Sequence, residues 1–198
     1  MVVGERGPKS GADTDAGKQR RDRKQDGPRF GFRVDQVRLG DLIERPTVLV
    51  VPRYYGCLPC RDYLAQVSRR YDEIEAAGGA AIGVSVGTTH QARWLSEERG
   101  IDFPLLVDAE RHLYDALDLP KKWWVALNPR GWVSYGRAIT HGERQGKVIE
   151  PNQLPGLAVL DADANAELIY RGRALGDYPP LDQVLAELAT MVAAPTAA

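Results

Sequence analysis

Cysteine is almost missing from this chain: there are two among 198 residues, Cys57 and Cys60. So close a pair cannot supply the disulfide framework of small secreted domains. Stability must come from an apolar core, which a chain of this length can build as one domain. Histidine is nearly as scarce, and His90, His112 and His141 show neither metal-ligand spacing nor the placement of a Cys–His dyad. A zinc site at the cysteines would lack its second pair of ligands. No run of about 18 apolar residues occurs, which argues against a membrane span. The first residues lack the apolar stretch of a secretory signal. Charge of one sign is not in excess either. Twenty-six Lys and Arg face 27 Asp and Glu, a formal net charge of −1, which argues against a nucleic-acid partner. The expectation is a cytoplasmic protein with no membrane or nucleic-acid partner and no metal or other cofactor. In that reducing compartment a Cys-x-x-Cys serves redox or metal chemistry more often than a structural crosslink.

Residues 1–29, rich in Gly, Asp, Lys and Arg, are expected to form a disordered charged tail. Such a composition buries too little apolar surface to offset the entropy of ordering. Its basic run, Lys18-Gln19-Arg20-Arg21-Asp22-Arg23-Lys24, reads as a solvated stretch. The folded domain is expected over 30–192, with a flexible end at 193–198. Phe30-Gly31-Phe32-Arg33-Val34 reads as a short lead-in strand, 41–46 as a turn, and Thr47-Val48-Leu49-Val50-Val51 as a strand. Leu64, Val67, Tyr71 and Ile74 share one face of a helix predicted over 59–77, with Gly78-Gly79 as its stop.

The run Ala80-Ala81-Ile82-Gly83-Val84-Ser85-Val86 follows as a second strand. Thr88 and Gln91 have capping-box spacing and open a helix that turns Ala92 and Leu95 inward and ends at Gly100. Phe103-Pro104-Leu105-Leu106-Val107 is a third strand, and Asp108 caps a short helix through Leu117. Beyond Pro120 the rhythm breaks, and about 120–155 shows no clean period. A hairpin then joins Gly156-Leu157-Ala158-Val159-Leu160 to Ala166-Glu167-Leu168-Ile169-Tyr170, ahead of a last helix carrying Leu181, Val184, Leu185 and Leu188. Three strand–helix alternations predict an α/β domain with helices on both sheet faces and an insertion before the late hairpin.

The cysteines stand where the first strand meets the first helix, in Tyr55-Gly56-Cys57-Leu58-Pro59-Cys60-Arg61. The free N–H groups and the dipole of a helix's first turn favour a thiolate over a thiol. Arg61 places a fixed cation beside the pair, and Arg53 is a second candidate. Pro59 costs little in an opening turn that has no use for its N–H. A free thiol titrates near about 8.5, and such surroundings bring comparable motifs to roughly 3.5–7.5, so a lowered Cys57 is expected. The arrangement reads as a redox dithiol. A zinc half-site, a static disulfide and a vestigial motif on a binding module are the competing readings.

The order strand, Cys-x-Pro-Cys, helix, strand, helix, late hairpin and terminal helix resembles the thioredoxin-like fold, with a central mixed sheet flanked by helices. At finer grain the chain resembles the peroxiredoxin-like branch of the alkyl hydroperoxide reductase/thiol-specific antioxidant (AhpC/TSA) family. The resemblance rests on Leu49-Val50-Val51-Pro52-Arg53-Tyr54-Tyr55-Gly56-Cys57-Leu58-Pro59-Cys60-Arg61-Asp62-Tyr63-Leu64, on Gln91-Ala92-Arg93-Trp94-Leu95, on Phe103-Pro104-Leu105-Leu106-Val107-Asp108, and on Gly176-Asp177-Tyr178-Pro179-Pro180-Leu181. It covers about 42–188. Typical members carry Pro-x-x-x-Thr/Ser-x-x-Cys and an arginine just before the late hairpin. Here Cys60 takes the peroxidatic position, Cys57 that of the Thr, and Pro155 roughly that of the arginine. Pro155 also falls where thioredoxins place a cis-proline facing the dithiol.

The resemblance therefore implies a thiol–disulfide oxidoreductase in antioxidant chemistry, with Cys57 as nucleophile, Cys60 as resolver and Pro155 as contact for the substrate backbone. The first alternative is a thiol-dependent peroxidase, regenerated by a thioredoxin-type or small-thiol reductant, for which an arginine elsewhere must replace the missing one. A redox-silent binding module that uses the aromatic insertion is the second. The insertion mixes aromatics with cations, and Trp123, Trp132 and Arg137, together with Tyr55 before the dithiol, are candidate substrate contacts. The plainer reading packs those Trp residues on the sheet and makes Tyr55 an ordinary strand residue.

Overall fold

Thr47–Val51 (β1) is apolar or β-branched throughout and buried at all five positions, as a strand covered on both faces must be. The computed structural model describes residues 39–193. The expected tail 1–29, its basic run, the lead-in strand at 30–34 and residues 194–198 lie outside the described residues. β1 runs parallel to Ala80–Ser85 (β2), which is parallel to Leu105–Val107 (β3). On its other edge β1 pairs antiparallel with Gly156–Leu160 (β4), itself antiparallel to Ala166–Arg171 (β5). The sheet order is β3-β2-β1-β4-β5, the mixed sheet that the sequence leads one to expect.

The helices are Leu58–Arg69 (α1), Tyr71–Ala76 (α2), Thr89–Arg99 (α3), His112–Ala116 (α4), Pro129–Thr140 (α5) and Leu181–Ala193 (α6). Alternation along the strands splits the core in two. Val48, Val50, Ala81, Leu105, Leu157 and Val159 face α1, α2, α3 and α6. Leu49, Val51, Ile82, Val84, Leu106 and Ala158 face the other way, toward Tyr54, both cysteines, and Tyr114 and Leu117 around α4.

The capping box opens α3: Gln91 N–H donates to Thr88 Oγ1 at 3.3 Å, and Thr88 N–H donates to Gln91 Oε1 at 3.0 Å. Gly100 ends that helix at φ 61, in the left-handed region glycine tolerates. Asp108 caps α4 from the preceding turn, accepting the N–H groups of His112 and Leu113.

Two expectations need correction. The helix predicted over 59–77 is two helices, broken at Arg70 (φ −110, ψ 18). Both halves keep their apolar residues, Val67 and Ile74, in one core, so periodicity alone cannot register the break. The insertion is not irregular throughout: it holds a 3-10 turn over Trp123–Leu127 and then α5, capped by Asn128, whose Oδ1 accepts Arg130 N–H at 3.1 Å. Only Gly131 and Ala138 of α5 are fully buried, against neighbours that include α1. Its inward face is made of small residues, so no apolar period was visible.

Removing the cap of α3 tests the local reading. Thr88→Ala should lower the free energy of unfolding by about 1 kcal/mol in urea denaturation, with an unchanged denaturant slope.

Candidate active site

β1 ends at Val51, and Pro52-Arg53-Tyr54-Tyr55-Gly56 carries the chain to Cys57, the N-cap of α1, with φ −71 and ψ 117. The first turn closes on the Cys57 carbonyl, which accepts N–H from Cys60 at 3.1 Å and from Arg61 at 2.9 Å. That turn brings the sulfurs to the same side. They are free thiols 2.6 Å apart, hydrogen-bonded to each other, and neither residue has solvent exposure.

The cation at the dithiol is Arg53. It is 2% exposed, and its Nη1 donates to Cys57 Sγ at 3.6 Å. Its remaining donors are fixed by the backbone carbonyls of Gln153 and Pro151. Burial alone would raise the Cys60 thiol, but hydrogen bonding with Cys57 and the charge of Arg53 outweigh it and bring the group down to about 7. Burial pushes the Cys57 thiol well up, and its bonding to Cys60 and the charge of Cys60 push the same way against Arg53. Two sulfurs this close share one negative charge: the first proton leaves near neutrality and the second is held. The lowered thiol is Cys60, not Cys57 as the sequence suggested, because Cys57 is the partner that keeps its proton.

The other expected site residues separate into those at the dithiol and those elsewhere. Arg61 is one helical step from Cys60, yet its charge is spent on other partners. It is fully buried, bonded to Glu98, 3.3 Å from Glu143, and stacked over Trp94 at 4.6 Å. Arg99 joins Glu143 at 2.7 Å, and His141 Nδ1 meets Asp62 at 2.7 Å, so this network ties α1 and α3 to the end of α5. Tyr55 is a core pin rather than a substrate contact: its hydroxyl donates to Leu106 O and lies 3.1 Å from Gly83 O. Among the described residues no peptide bond is cis, so Pro155 does not form the expected cis-proline. Its carbonyl instead accepts Gly172 N–H at 2.9 Å, at the foot of the β4–β5 hairpin. Pro59 is buried in the first turn of α1 and packs so closely on Gly176 (φ 69) that a Cβ there would overlap its ring. Trp123 and Trp132, 73% and 67% exposed, and the exposed Arg137 stand on the outer surface of the insertion.

Two participants were missed. Gln145 reaches across the loop before Cys57: its Nε2 donates to Gly56 O at 2.8 Å and to Tyr54 Oη at 3.3 Å, while its Oε1 accepts Leu58 N–H at 3.3 Å. Gly146 N–H donates to the same Gly56 carbonyl at 2.8 Å. A Cβ on Gly56 would fall 2.6 Å from Lys147 O, so this strap crosses the dithiol loop at backbone contact. No local signal marks Gln145 for this role. Tyr178 was visible only as part of the Gly-Asp close. Its ring stacks on Tyr63 with centroids 4.2 Å apart, and its buried hydroxyl has no conventional partner. Burial and the charge of Cys60 hold its proton firmly, and its hydroxyl in turn favours the Cys60 thiolate.

Arg53 is the test of this electrostatic arrangement. Thiol alkylation followed against pH should show a midpoint near 7 for the first thiolate. Removing the cation disfavours the anion, so Arg53→Gln should move that midpoint upward by about one pH unit or more, and Arg53→Lys should move it less. An unchanged midpoint in Arg53→Gln would remove Arg53 from the site.

Comparison with known proteins identifies the family and the fold. The AhpC/TSA family model matches residues 24–164. The thioredoxin-like protein AAED1, chloroplastic, of Arabidopsis thaliana is 24% identical over 165 residues, covering 78% of this chain and 66% of the relative's own length. Human peroxiredoxin-like 2C is 26% identical over 175 residues, covering 80% and 75%. The bacterioferritin comigratory protein of Xanthomonas campestris superposes with a TM-score of 0.57 at 18% identity, covering 79% of this chain and 85% of that one. Peroxidoxin BcpB of Mycobacterium tuberculosis gives 0.52 at 17%, covering 78% and 86%. At such identities these structures share the fold. With the family match spanning most of the domain, the chain belongs to the AhpC/TSA family, a redox family of thioredoxin-like fold.

Proposed function

We propose that this protein is a dithiol peroxidase in which Cys60 attacks the peroxide and Cys57 resolves the product. The observation that carries the reading is geometric: two buried thiols 2.6 Å apart share one buried guanidinium, and Cys60 stands at the position of the family's peroxidatic cysteine. The Cys60 thiolate attacks one peroxide oxygen, the O–O bond breaks, and the departing alkoxide takes a proton to leave as an alcohol. Cys60 is then a sulfenic acid. The Cys57 sulfur attacks it, water departs, and a Cys57–Cys60 disulfide remains, which an external dithiol or two small thiols reduce. Arg53 favours the thiolate first and then the charge developing on the leaving oxygen. The family supports peroxide as substrate class and a thiol as reductant, and the Xanthomonas relative is described as reducing alkyl peroxides. A cytoplasmic setting belongs to this reading, because the disulfide formed in each cycle has to be reduced again.

Burial weighs in the same direction. Neither sulfur is exposed, and the Gln145–Gly146 strap is bonded to the loop before Cys57, so a folded protein disulfide would need that cover displaced, whereas a small hydroperoxide needs far less room. Thiol–disulfide exchange with Cys57 as nucleophile is the second reading. It is favoured by the 3.6 Å approach of Arg53 to Cys57 rather than to Cys60, and by the place of Cys57 at the helix N-cap.

A thioredoxin-coupled assay separates the two. Peroxide-dependent NADPH consumption should fall to background in Cys60→Ser. Cys57→Ser should lose thioredoxin-dependent turnover yet accumulate a sulfenic acid that dimedone traps. Insulin reduction without peroxide turnover would replace this reading with exchange. Absence of both activities from the parent chain would leave a redox-silent binding module.

A further inference from the structure

Apolar side chains left in water are unevenly spread over this molecule. Of the ten large hydrophobic residues exposed among the described residues, eight lie between Trp123 and Ile149. Of the other two, Trp94 is partly covered by the Arg61 guanidinium. The seating of α5 explains the concentration. Gly131 fits so closely that a Cβ there would stand 3.1 Å from Leu175 Cβ, and the long apolar residues Trp132, Val133 and Ile139 are turned outward. Seven residues apart, Trp132 and Ile139 form one edge of that outer face. Arg130 and Arg137, also seven apart, form the other edge, with Val133 between. Ahead of the helix, Trp123 and Trp124 meet edge to face at 5.8 Å, and Lys122 lies 5.8 Å from the Trp124 ring.

Charge on this segment is just as one-sided. Residues 121–149 contain six Lys and Arg and one acid, Glu143. Glu143 is buried between Arg61 and Arg99. Lys121 pairs with Glu150 at 3.5 Å. The other five cations have no carboxylate within ion-pair distance among the described residues. Aromatic and aliphatic side chains flanked by unneutralised cations on an outward helix face have the chemistry of an interfacial helix.

We propose that this face docks on the surface of an anionic phospholipid bilayer. The indole and aliphatic side chains enter the boundary between headgroups and acyl chains, and the arginines meet the lipid anions. Charge selects this occupant. A second copy docked face to face would bring more cations and no free carboxylate to the contact, whereas anionic lipid neutralises this face, at about a fivefold gain in binding per cation. No helix among the described residues is long and apolar enough to cross a membrane, so the contact is peripheral. The sequence-based expectation of no membrane partner rested on the lack of a spanning run and on reading the basic run at 18–24 as solvated rather than as a membrane-surface tether. The inference is independent of the proposed redox chemistry.

The test is co-sedimentation of the full chain with vesicles of phosphatidylcholine alone or mixed with phosphatidylserine. Binding should require phosphatidylserine, weaken with added salt, and shift indole emission to the blue. Arg130→Glu combined with Arg137→Glu should weaken it about twentyfold or more. Trp132→Ala combined with Ile139→Ala should weaken it without altering circular dichroism or the melting temperature, since both residues are exposed. Cys60→Ser should bind vesicles as the parent chain does, which separates this inference from the peroxidase reading. No binding to phosphatidylserine vesicles, or binding insensitive to both lipid composition and the charge reversals, would overturn the proposal. So would light scattering that shows a dimer dissociated by Trp132→Ala, which would assign the face to a second copy.

Discussion

A sulfur anion buried without solvent needs a cation buried with it. In this protein that cation is Arg53, and the site is arranged around its position. Desolvation alone would keep both thiols protonated at neutral pH. One guanidinium, 3.6 Å from Cys57 and held by two backbone carbonyls of the segment ending at Gln153, changes the balance for one of the two sulfurs. Counting back from Cys60, Arg53 stands where the family's Pro-x-x-x-Thr/Ser-x-x-Cys motif carries its proline, and Cys57 stands where it carries the hydroxyl. The positive charge is thus supplied from before the helix, not from the position ahead of the hairpin that Pro155 occupies. The second thiol supplies the hydrogen bond that the hydroxyl would.

The same arginine couples charge to architecture. Its bonds to Pro151 and Gln153 fasten the end of the insertion, while Gln145 and Gly146 fasten its middle to the Gly56 carbonyl. Farther out, Arg61, Glu98, Glu143 and Arg99 tie the end of α5 to α1 and α3. Neighbouring arginines in the sequence therefore do different work: one lies against the dithiol, and the other ties the insertion to the helices beside it. Because the cover is seated by small residues, glycine and alanine, its large apolar residues are left facing outward. A tightly shielded dithiol and an exposed aromatic surface are two sides of one packing solution.

The sheet, the capping box of α3, the hairpin and the terminal helix were legible because each is written locally, in period, spacing and turn chemistry. The sequence by itself also determined that two sulfurs come together at one end of the sheet. Two cysteines three apart, at the end of an apolar strand and the start of a helix, will meet whatever else the chain does, since one helical turn places them on one side. Only the tertiary structure decided which arginine lies against them, that Tyr55 is a core pin, that Pro155 is trans, and that Gln145 and Tyr178 stand beside the dithiol loop and helix. These depend on residues dozens of positions apart in sequence meeting inside a medium of low polarity. There, a few ångströms decide whether a charge is paired with a thiolate or with a carboxylate, and no local pattern records that distance.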